Sequence, residues 1–345
     1  YTSNGTQAHL GADGAQLGAS PARVMTGSVR AARAFAMDGV QFLALGVGDD
    51  AVEGADPSPV GFVVVWRWDA AIDGFSQVQR LTTEVGVVDL EHFFLVDGFG
   101  SGFHYLAAAN SHAPADTSGV NVYRWIPSRG EFVLHHALPL THPDGVPMLP
   151  ESASGAVIRG IKYFKAGPSA ADGRFLGLHF LAVAFYAAVM DGIQDPEVAS
   201  YVFAWNNDGV RMMGDGTRVS GFGFEAFQRM QTRGATDFDH LVVPCDPDVF
   251  AAAPSAKTCV GGEQHFLAAA HMAFGSAGPS STVWRYWPAS RNIDPFNEGL
   301  WNQKGRPGYL EKLAELPVSG AAHVFAFSAP GAGYFFAFAE RQSQL

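Results

Sequence analysis

Apolar residues in this chain gather in short runs of strand length, and one run recurs five times as an aromatic residue, then Leu or Phe, then Ala. A second phrase, Val-aromatic-any-aromatic, falls between the copies. Uninterrupted apolar runs of this length are typical of strands that are buried on both faces. The copies of the first phrase begin at Phe42, Tyr105, Phe180, Phe266 and Phe335. The copies of the second phrase begin at Val65, Val122, Val202 and Val283.

Each repeat divides into four predicted strands. The first strand follows a glycine, the second and third strands carry the two phrases, and the fourth alternates apolar and polar residues, as it does from Phe75 to Thr82. Pairs such as Asp73-Gly74 and Arg129-Gly130 stand where hairpin turns are needed. The predicted repeats are residues 27–83, 86–140, 155–232 and 234–318, with a half repeat at 320–341.

Four-stranded antiparallel units repeated in series predict an all-β protein, namely a β-propeller of four-stranded blades. If the N-terminal segment, residues 1–26, completes the half repeat as a last blade, the propeller has five blades. The alternative is a larger propeller of which this chain is one part. His179 interrupts the apolar run from Phe175 to Met190, which is therefore predicted to be a buried strand and its connection rather than a membrane span.

The composition favours an ordered protein that binds another protein. A hydrophobic content of 48% with 16% charged residues predicts an extensive core. A formal net charge of −11 argues against a nucleic-acid partner, because phosphate binding needs clustered Lys and Arg. The chain has no nucleophile elbow, zinc-protease motif or phosphate-binding loop, and five similar units favour a binding surface over one catalytic centre. The prediction is a non-enzymatic module with a protein partner, contacted through loops on its rims.

The second repeat combines three motifs: Asp-Leu-Glu-His-Phe from Asp89, Tyr-Leu-Ala-Ala-Ala-Asn from Tyr105, and Tyr-Arg-Trp from Tyr123. This combination resembles the epitempin-associated repeat, also called EAR or EPTP, and the resemblance extends from about residue 27 to about residue 341. It implies a propeller that acts as an extracellular protein-binding module. The chain departs from the seven-bladed leucine-rich glioma-inactivated proteins in its four and a half repeats. The acidic pair of the motif is also missing from the first, third and last repeats.

Two acidic pairs occupy alternate positions of predicted first strands, so that each pair points to one face of its strand. An innermost first strand would bring these carboxylates to the central channel, beside Arg30, Arg33, Arg159 and Lys162, which stand at or near the equivalent positions of other blades. A salt-bridge network is one interpretation, and a calcium ion on Asp89 and Asp237 is the other; no further cofactor is predicted. The candidate channel-lining residues are Asp89, Glu91, Asp237, Asp239, Arg30 and Arg159.

Three histidines, His104, His179 and His265, each precede the aromatic residue of a second strand. Equivalent residues of different blades stand apart except near the axis, so the predicted role of these histidines is structural and not a shared metal site.

Cys245 and Cys259 are either two buried thiols or a disulfide that closes a loop, and the disulfide is the prediction. With the glycosylation sequon at Asn4, this disulfide predicts an extracellular or luminal location on the secretory route. The competing class of function is a glycan-binding lectin or an enzyme with its site at the mouth of the channel.

Overall fold

The structure is a computed structural model. It describes residues 28–48, 61–83, 85–96, 101–114, 119–141, 147–166, 178–206, 210–212, 218–220, 223–245, 259, 262–272, 281–287, 308–318 and 320–340. This part of the chain contains only strands and turns, and no helix, so the predicted all-β class is confirmed. Residues 1–26, with Asn4, lie outside the described residues, and their pairing with the half repeat stays a prediction.

The strands form four antiparallel sheets in chain order, followed by one two-stranded sheet, here called the half-sheet. Sheet 1 contains β1 (Ser28–Met37), β2 (Val40–Gly48), β3 (Phe62–Asp69) and β4 (Gly74–Thr82). Sheet 2 contains β5 (Val87–Val96), β6 (Gly102–Asn110), β8 (Val120–Ile126) and β9 (Glu131–Ala137). Sheet 3 contains β10 (Gly155–Ala166), β11 (Leu178–Met190), β13 (Ser200–Asn206) and β16 (Gly223–Met230). Sheet 4 contains β17 (Ala235–Pro244), β18 (Glu263–His271), β19 (Ser281–Trp287) and β20 (Tyr309–Leu316). The half-sheet contains β21 (Ala321–Ala329) and β22 (Gly333–Glu340).

Short strands extend sheet 3 and form one separate hairpin. On sheet 3, β7 (His112–Pro114) pairs with β10 and β12 (Ile193–Asp195) pairs with β11. The separate hairpin joins β14 (Val210–Met212) to β15 (Arg218–Ser220). The described part of the apolar run from Phe175 to Met190 is strand β11, as predicted. No helix in the described ranges is long and apolar enough to cross a membrane.

The two repeated phrases pair with each other in every full sheet. The central Leu of the second strand lies opposite the first aromatic residue of the third strand, in the register Leu106 with Tyr123 in sheet 2. Tight turns hold this pattern; at the β1–β2 turn Asp38 and Gly39 both have positive φ, the conformation that a two-residue hairpin turn requires. The sequence therefore predicted not only the four-stranded sheets but also which phrases are neighbours.

The first strands of successive sheets contact one another in chain order, β1 with β5, β5 with β10, β10 with β17 and β17 with β21. We call the face of a sheet that packs against the next sheet its forward face, and the opposite face its backward face. The core consists of apolar clusters between these faces, here numbered interfaces 1 to 4 from the sheet 1–sheet 2 contact to the contact between sheet 4 and the half-sheet. The serial order of sheets that a propeller requires is present, while the number of blades stays a prediction.

The predicted disulfide between Cys245 and Cys259 is present, with Cα atoms 6.3 Å apart. Cys245 directly follows β17, and its backbone N–H donates to the carbonyl oxygen of Gly262 at the start of β18. The loop that the bond closes therefore leaves and rejoins two paired strands, as the sequence predicted.

Candidate functional site

Each first strand contains a β-bulge, seen as a shift in its register with the second strand. A bulge inserts an extra residue and re-aims the side chains that follow it. Equivalent residues of the five first strands align when positions are counted from the bulge rather than from the glycine before the strand. The residues at the first position after the bulge are Ala31, Asp89, Gly160, Asp237 and His323. The residues two positions further are Arg33, Glu91, Lys162, Asp239 and Phe325.

Aspartates at these positions join successive sheets by accepting backbone hydrogen bonds. Asp89 Oδ2 of sheet 2 accepts the N–H of Ile161 in sheet 3 at 2.8 Å. From sheet 4, Asp239 Oδ2 accepts the N–H of Ala326 in the half-sheet at 2.6 Å, and Asp237 Oδ2 accepts that of Val324 at 3.2 Å. A carboxylate on a forward face therefore compensates N–H groups of the following first strand at positions where, among the described residues, that edge is not paired with another strand.

Glycine takes the equivalent place in sheet 3, where sheet 4 approaches most closely. A Cβ atom on Gly160 would lie 3.0 Å from the carbonyl oxygen of Thr236 and 3.4 Å from Oδ1 of Asp237. The missing side chain lets β17 pack directly against β10 and brings Asp237 close enough to Asp89 for the two carboxylates to repel each other. Substituting this glycine would therefore separate sheets 3 and 4.

The residues at the third position after the bulge alternate in charge from sheet 1 to sheet 4: Arg33, Glu91, Lys162 and Asp239. Glu91 Oε2 lies 2.5 Å from the guanidinium of Arg33 and its Oε1 lies 3.9 Å from Nζ of Lys162. Lys162 Nζ also lies 2.6 Å from Asp239 Oδ1. We call these four residues, together with Asp89, Asp237 and His323, the inner cluster. It links sheets 1 to 4 and the half-sheet by ion pairs and charge-assisted hydrogen bonds.

The sequence offered four cationic partners, Arg30, Arg33, Arg159 and Lys162, and the structure brings Arg33 and Lys162 to these positions. The reason is the bulge: sheet 1 has one more residue before it, and sheet 3 two more, than the repeats that contain aspartate. Arg159 instead lies on the outside, with its guanidinium 5.0 Å from the ring centre of Tyr186. Arg30 is exposed.

Burial dominates the electrostatics of the inner cluster. It raises the pKa of Asp89 to about 6, although the backbone hydrogen bonds from Ile161 and Leu90 act in the opposite direction. It raises the pKa of Glu91 to about 7, against the influence of Arg33 and Lys162. Across the cluster, the hydrogen bond to Asp237 raises the pKa of His323. The carboxyl groups of Asp89 and Glu91 therefore titrate between about pH 6 and 7, a range in which free carboxyl groups are ionised.

Only the presence of the carboxylates supports the predicted calcium site. In the described ranges, no group of three or more acidic, histidine or cysteine side chains is arranged to hold a metal ion. Asp89 also has both carboxylate oxygens bonded to backbone N–H groups, Oδ1 to Leu90 and Oδ2 to Ile161. Calcium at Asp89 and Asp237 stays a prediction.

A second repeated contact was not recognised in the sequence. The aromatic residue at the fifth position after the bulge stacks on the ring of the next sheet, as Phe35 does on His92 at 4.1 Å and Phe93 on Tyr163 at 4.6 Å. Phe164 stacks on His240 in the same way at 4.9 Å. The sequence does contain a signal for this contact, because an aromatic residue or His directly follows the charged residue in three successive repeats. The signal is visible only when the repeats are aligned at the bulge.

The three histidines singled out in the sequence complete these stacks within their own sheets. His104 Nδ1 lies 3.1 Å from His92 Nε2, and His265 Nδ1 lies 3.2 Å from His240 Nε2. In sheet 3, the hydroxyl of Tyr163 lies 2.5 Å from Nδ1 of His179. A hydrogen bond between two imidazoles requires one donor and one acceptor nitrogen, so at least one ring of each such pair is unprotonated. Burial lowers the pKa of His92, His240, His179 and His265 and so keeps these rings neutral in the folded protein near pH 7.

We expect the free energy of unfolding to fall as the pH is lowered from about 6.5 to about 4. Burial lowers the pKa of His92 and of His240 from 6.5 to about 3, and that of His179 and of His265 to about 4. Each histidine is neutral when folded and takes up a proton when unfolded, so acid favours unfolding in this range. Asp89 and Glu91 act oppositely, since their raised pKa values stabilise the folded state in acid and this contribution is lost as the pH rises through about 6 and 7.

Four histidines outweigh two carboxyls, and each net proton changes the stability by about 1.4 kcal/mol per pH unit. Urea unfolding followed by Trp fluorescence across this pH range measures the slope. His240→Gln should reduce the slope, while His323→Gln, at an exposed histidine whose pKa is raised, should not. A stability that stays constant across the range would contradict the assignment of neutral pairs.

The half-sheet differs from the four full sheets in that no sheet of the described residues packs against its forward face. Phe325 and Phe327 on β21 are 55% and 47% exposed, and Phe335 stacks on Phe327 at 5.4 Å. The equivalents of Phe327 in sheets 2 and 3, Phe93 and Phe164, are both 3% exposed. The half-sheet thus exposes at Phe327 the aromatic surface that sheets 2 and 3 bury against the next sheet.

Neither a protein-family model nor a curated protein sequence matches this chain. Solved structures with some likeness include a mutant α-L-arabinofuranosidase of Fusarium graminearum with an iminosugar inhibitor, at 9% identity and a TM-score of 0.40, covering 90% of this chain and 74% of that one. The complex of the fission yeast SREBP–SCAP binding domains has 12% identity and a TM-score of 0.33, covering 91% and 66%. No activity, ligand or residue role passes from these proteins to this chain.

Proposed function

We propose that this protein is a non-enzymatic β-propeller that binds another protein, outside the cell or in a luminal compartment, as a subunit of a larger assembly. The resemblance of its repeats to the epitempin-associated repeat supports this reading, and so does the serial order of its sheets. The disulfide supports a secretory location, because such bonds persist in oxidising compartments.

The open forward face of the half-sheet is the observation that carries the proposal. Exposed aromatic residues in one contiguous patch mark interaction sites, and aromatic side chains contribute most of the binding energy at protein interfaces. Phe325, Phe327 and Phe335 form such a patch, and Phe93 and Phe164, the equivalents of Phe327, pack against the next sheet. The chemistry of this face is therefore suited to binding a protein surface.

The inner cluster supports a structural rather than a catalytic role for the carboxylates. Asp89 and Asp239 each use both oxygens in contacts within the protein, to backbone N–H groups and, for Asp239, also to Lys162. Glu91 is buried between Arg33 and Lys162. Carboxylates engaged in this way tie the sheets together, which supports a structural role for them.

The test is binding with matched surface variants. The partner is captured from the native source, identified by mass spectrometry, purified, and titrated against the wild-type chain and the double variant Phe325→Glu/Phe327→Glu. We expect the double variant to bind at least about 100-fold more weakly, since two aromatic anchors are lost. Leu134→Glu, at a 56% exposed position of sheet 2, is the matched control and should bind normally.

Both Phe residues are exposed, so the double variant should unfold at the same urea concentration as the wild type. Equal binding by all three proteins would refute the proposal. Binding or cleavage of an oligosaccharide that is lost on Glu91→Gln and kept in the double variant would establish the competing lectin or enzyme reading instead.

A further inference from the structure

The ring that receives each inter-sheet stack is not the same in every sheet: it is His92 in sheet 2, Tyr163 in sheet 3 and His240 in sheet 4. All three occupy the fourth position after the bulge. Each contacts a histidine of the second strand in its own sheet, imidazole to imidazole in sheets 2 and 4 but hydroxyl to imidazole in sheet 3. Interfaces 1 and 3 therefore each contain an imidazole pair, and the equivalent place at interface 2 holds a tyrosine and a histidine.

The imidazole pair at interface 3 cannot easily hold an added proton. His240 Nε2 and His265 Nδ1 lie 3.2 Å apart, and the neutral pair shares one N–H between them. An added proton would need an acceptor at an outer nitrogen, but Nε2 of His265 is buried and has no hydrogen-bond partner among the described residues. The carboxylate of Glu263 lies 3.9 Å from that nitrogen, beyond hydrogen-bond reach. A charged pair therefore fits the closed interface poorly.

The charges that face the pair add to this effect. Lys162 of β10 faces His240 and is held in place by Asp239, with 2.6 Å between Nζ and Oδ1. Burial, followed by the influence of His265 and Lys162, lowers the pKa of His240 to about 3, and burial lowers that of His265 to about 4. Both rings are therefore neutral while sheets 3 and 4 are packed together near pH 7.

Two further histidines belong to strands that pack on β17, namely His179 of β11 and His323 of β21. The imidazole of His179 meets the hydroxyl of Tyr163, and that of His323 lies 3.4 Å from the carboxylate of Asp237. These contacts occupy both histidines at other places than the imidazole pair.

The carboxyl groups whose pKa is raised lie at the first two interfaces. Asp89 accepts the N–H of Ile161 across interface 2, and Glu91 contacts Arg33 across interface 1 and Lys162 across interface 2. With pKa values of about 6 and 7, they take up protons in the packed state as the pH falls, and so oppose opening in acid. Interface 3 combines two imidazoles with neither of these carboxyls, so its opening takes up more protons than opening at interface 1 or 2.

We propose that interface 3 is an acid-sensitive joint, at which protonation of His240 and His265 separates sheet 4 from sheet 3 ahead of interface 1, the other interface that contains an imidazole pair. The half-sheet moves with sheet 4, because Asp237 and Asp239 accept backbone N–H groups of β21. Units of one protein commonly open at different free energies, which allows one interface to open before the rest. This regulatory property goes beyond the proposed protein-binding function and does not depend on it.

Two backbone N–H groups report separately on interfaces 3 and 1. The N–H of Leu310 donates to Oε1 of Gln228 across interface 3 at 2.7 Å. The N–H of Phe132 donates to Oε1 of Gln79 across interface 1, also at 2.7 Å. Each bond joins the fourth strands of two successive sheets, so separation of the sheets breaks it even when every sheet keeps its own strand pairs.

The test is amide hydrogen exchange of the full chain with its disulfide intact, followed residue by residue by NMR and corrected for the intrinsic effect of pH on exchange. Each imidazole that regains a pKa of about 6.5 on opening shifts the opening equilibrium about 20-fold between about pH 7 and about pH 5. We expect the protection of Leu310 to fall at least about 20-fold over this range, and that of Phe132 to fall by a smaller factor because Glu91 opposes opening at interface 1.

The variant His240→Tyr copies the arrangement of sheet 3, where the hydroxyl of Tyr163 meets His179. It should make the loss of protection at Leu310 at least about 5-fold smaller, since one of the two imidazoles is gone. His92→Tyr is the same change at the equivalent position of sheet 2 and should leave the loss at Leu310 as it is in the wild type.

Equal losses of protection at Leu310 and Phe132 in the wild type would mean that acid lowers only the global stability, and would overturn the inference. So would a loss at Leu310 that His240→Tyr does not reduce. The wild-type comparison needs no variant, so it decides the question even if His240→Tyr does not fold. No partner is present in these measurements, and the proposed protein-binding function can therefore fail or hold independently of their result.

Discussion

Replacing Phe93 with alanine is expected to lower the free energy of unfolding by about 3–5 kcal/mol. Phe93 is 3% exposed and lies at interface 2, where its ring stacks on Tyr163 at 4.6 Å and meets Phe224 edge-on at 5.7 Å. The substitution removes apolar area, leaves a cavity between two sheets and breaks a stack that recurs in the molecule. Sheets on both sides of the cavity are tied by the inner cluster, so they cannot collapse far enough to fill it.

The matched control is the next residue. Phe94 points to the other face of the same strand and is 49% exposed, so Phe94→Ala should cost less than about 1 kcal/mol. Urea unfolding monitored by Trp fluorescence compares the two variants with the wild type. Equal losses for Phe93 and Phe94 would mean that sheets 2 and 3 do not pack through this stack, and would contradict the assignment of the forward face.

Loss of the Cys245–Cys259 bond is expected to lower the free energy of unfolding by about 3 kcal/mol. The cysteines are 14 residues apart and join the end of β17 to the chain that enters β18. Without the bond, the conformational entropy of the unfolded chain rises, and no new contact stabilises the folded state. The double variant Cys245→Ser/Cys259→Ser should therefore unfold at a lower urea concentration than the oxidised wild type.

Reductant provides the internal control for this comparison. Adding it to the wild type should reproduce the loss, and adding it to the double variant should change nothing. Thiols that react with an alkylating reagent before any reduction, in protein from the native source, would show that the bond is absent and would remove the main support for a secretory location. The protein-binding proposal would remain, because it depends on the half-sheet.

The strands and their neighbours were predictable because both follow from short-range patterns. An apolar run such as that at Phe180 has to be buried on both sides, and a strand is the element that allows this when the run is short. The same reasoning placed the disulfide, since Cys245 and Cys259 flank a hairpin connection whose two ends are necessarily close. Both inferences need only the order of residues along the chain.

The inner cluster was predictable in its chemistry but not in its membership. Acidic residues at alternate positions of a strand indicated carboxylates on one face, and Asp89, Glu91, Asp237 and Asp239 do lie together. The sequence offered four candidate cations for them, Arg30, Arg33, Arg159 and Lys162, of which Arg33 and Lys162 pair with the carboxylates. A β-bulge adds a residue without leaving a motif, so counting along the sequence favoured Arg30 and Arg159 within that set.

The sequence alone therefore determined the all-β class, the four-stranded sheets, the pairing of the two phrases and the loop that the disulfide closes. Each of these depends on the period of apolar residues or on short separations along the chain. Only the tertiary structure decided that Arg33 and Lys162 are the cations that pair with Glu91 and Asp239, that Phe35, Phe93 and Phe164 stack across the sheets, and that Phe325 and Phe327 of the half-sheet are exposed. These features arise where residues far apart in sequence meet, and their geometry is set by bulges and by the packing of whole sheets.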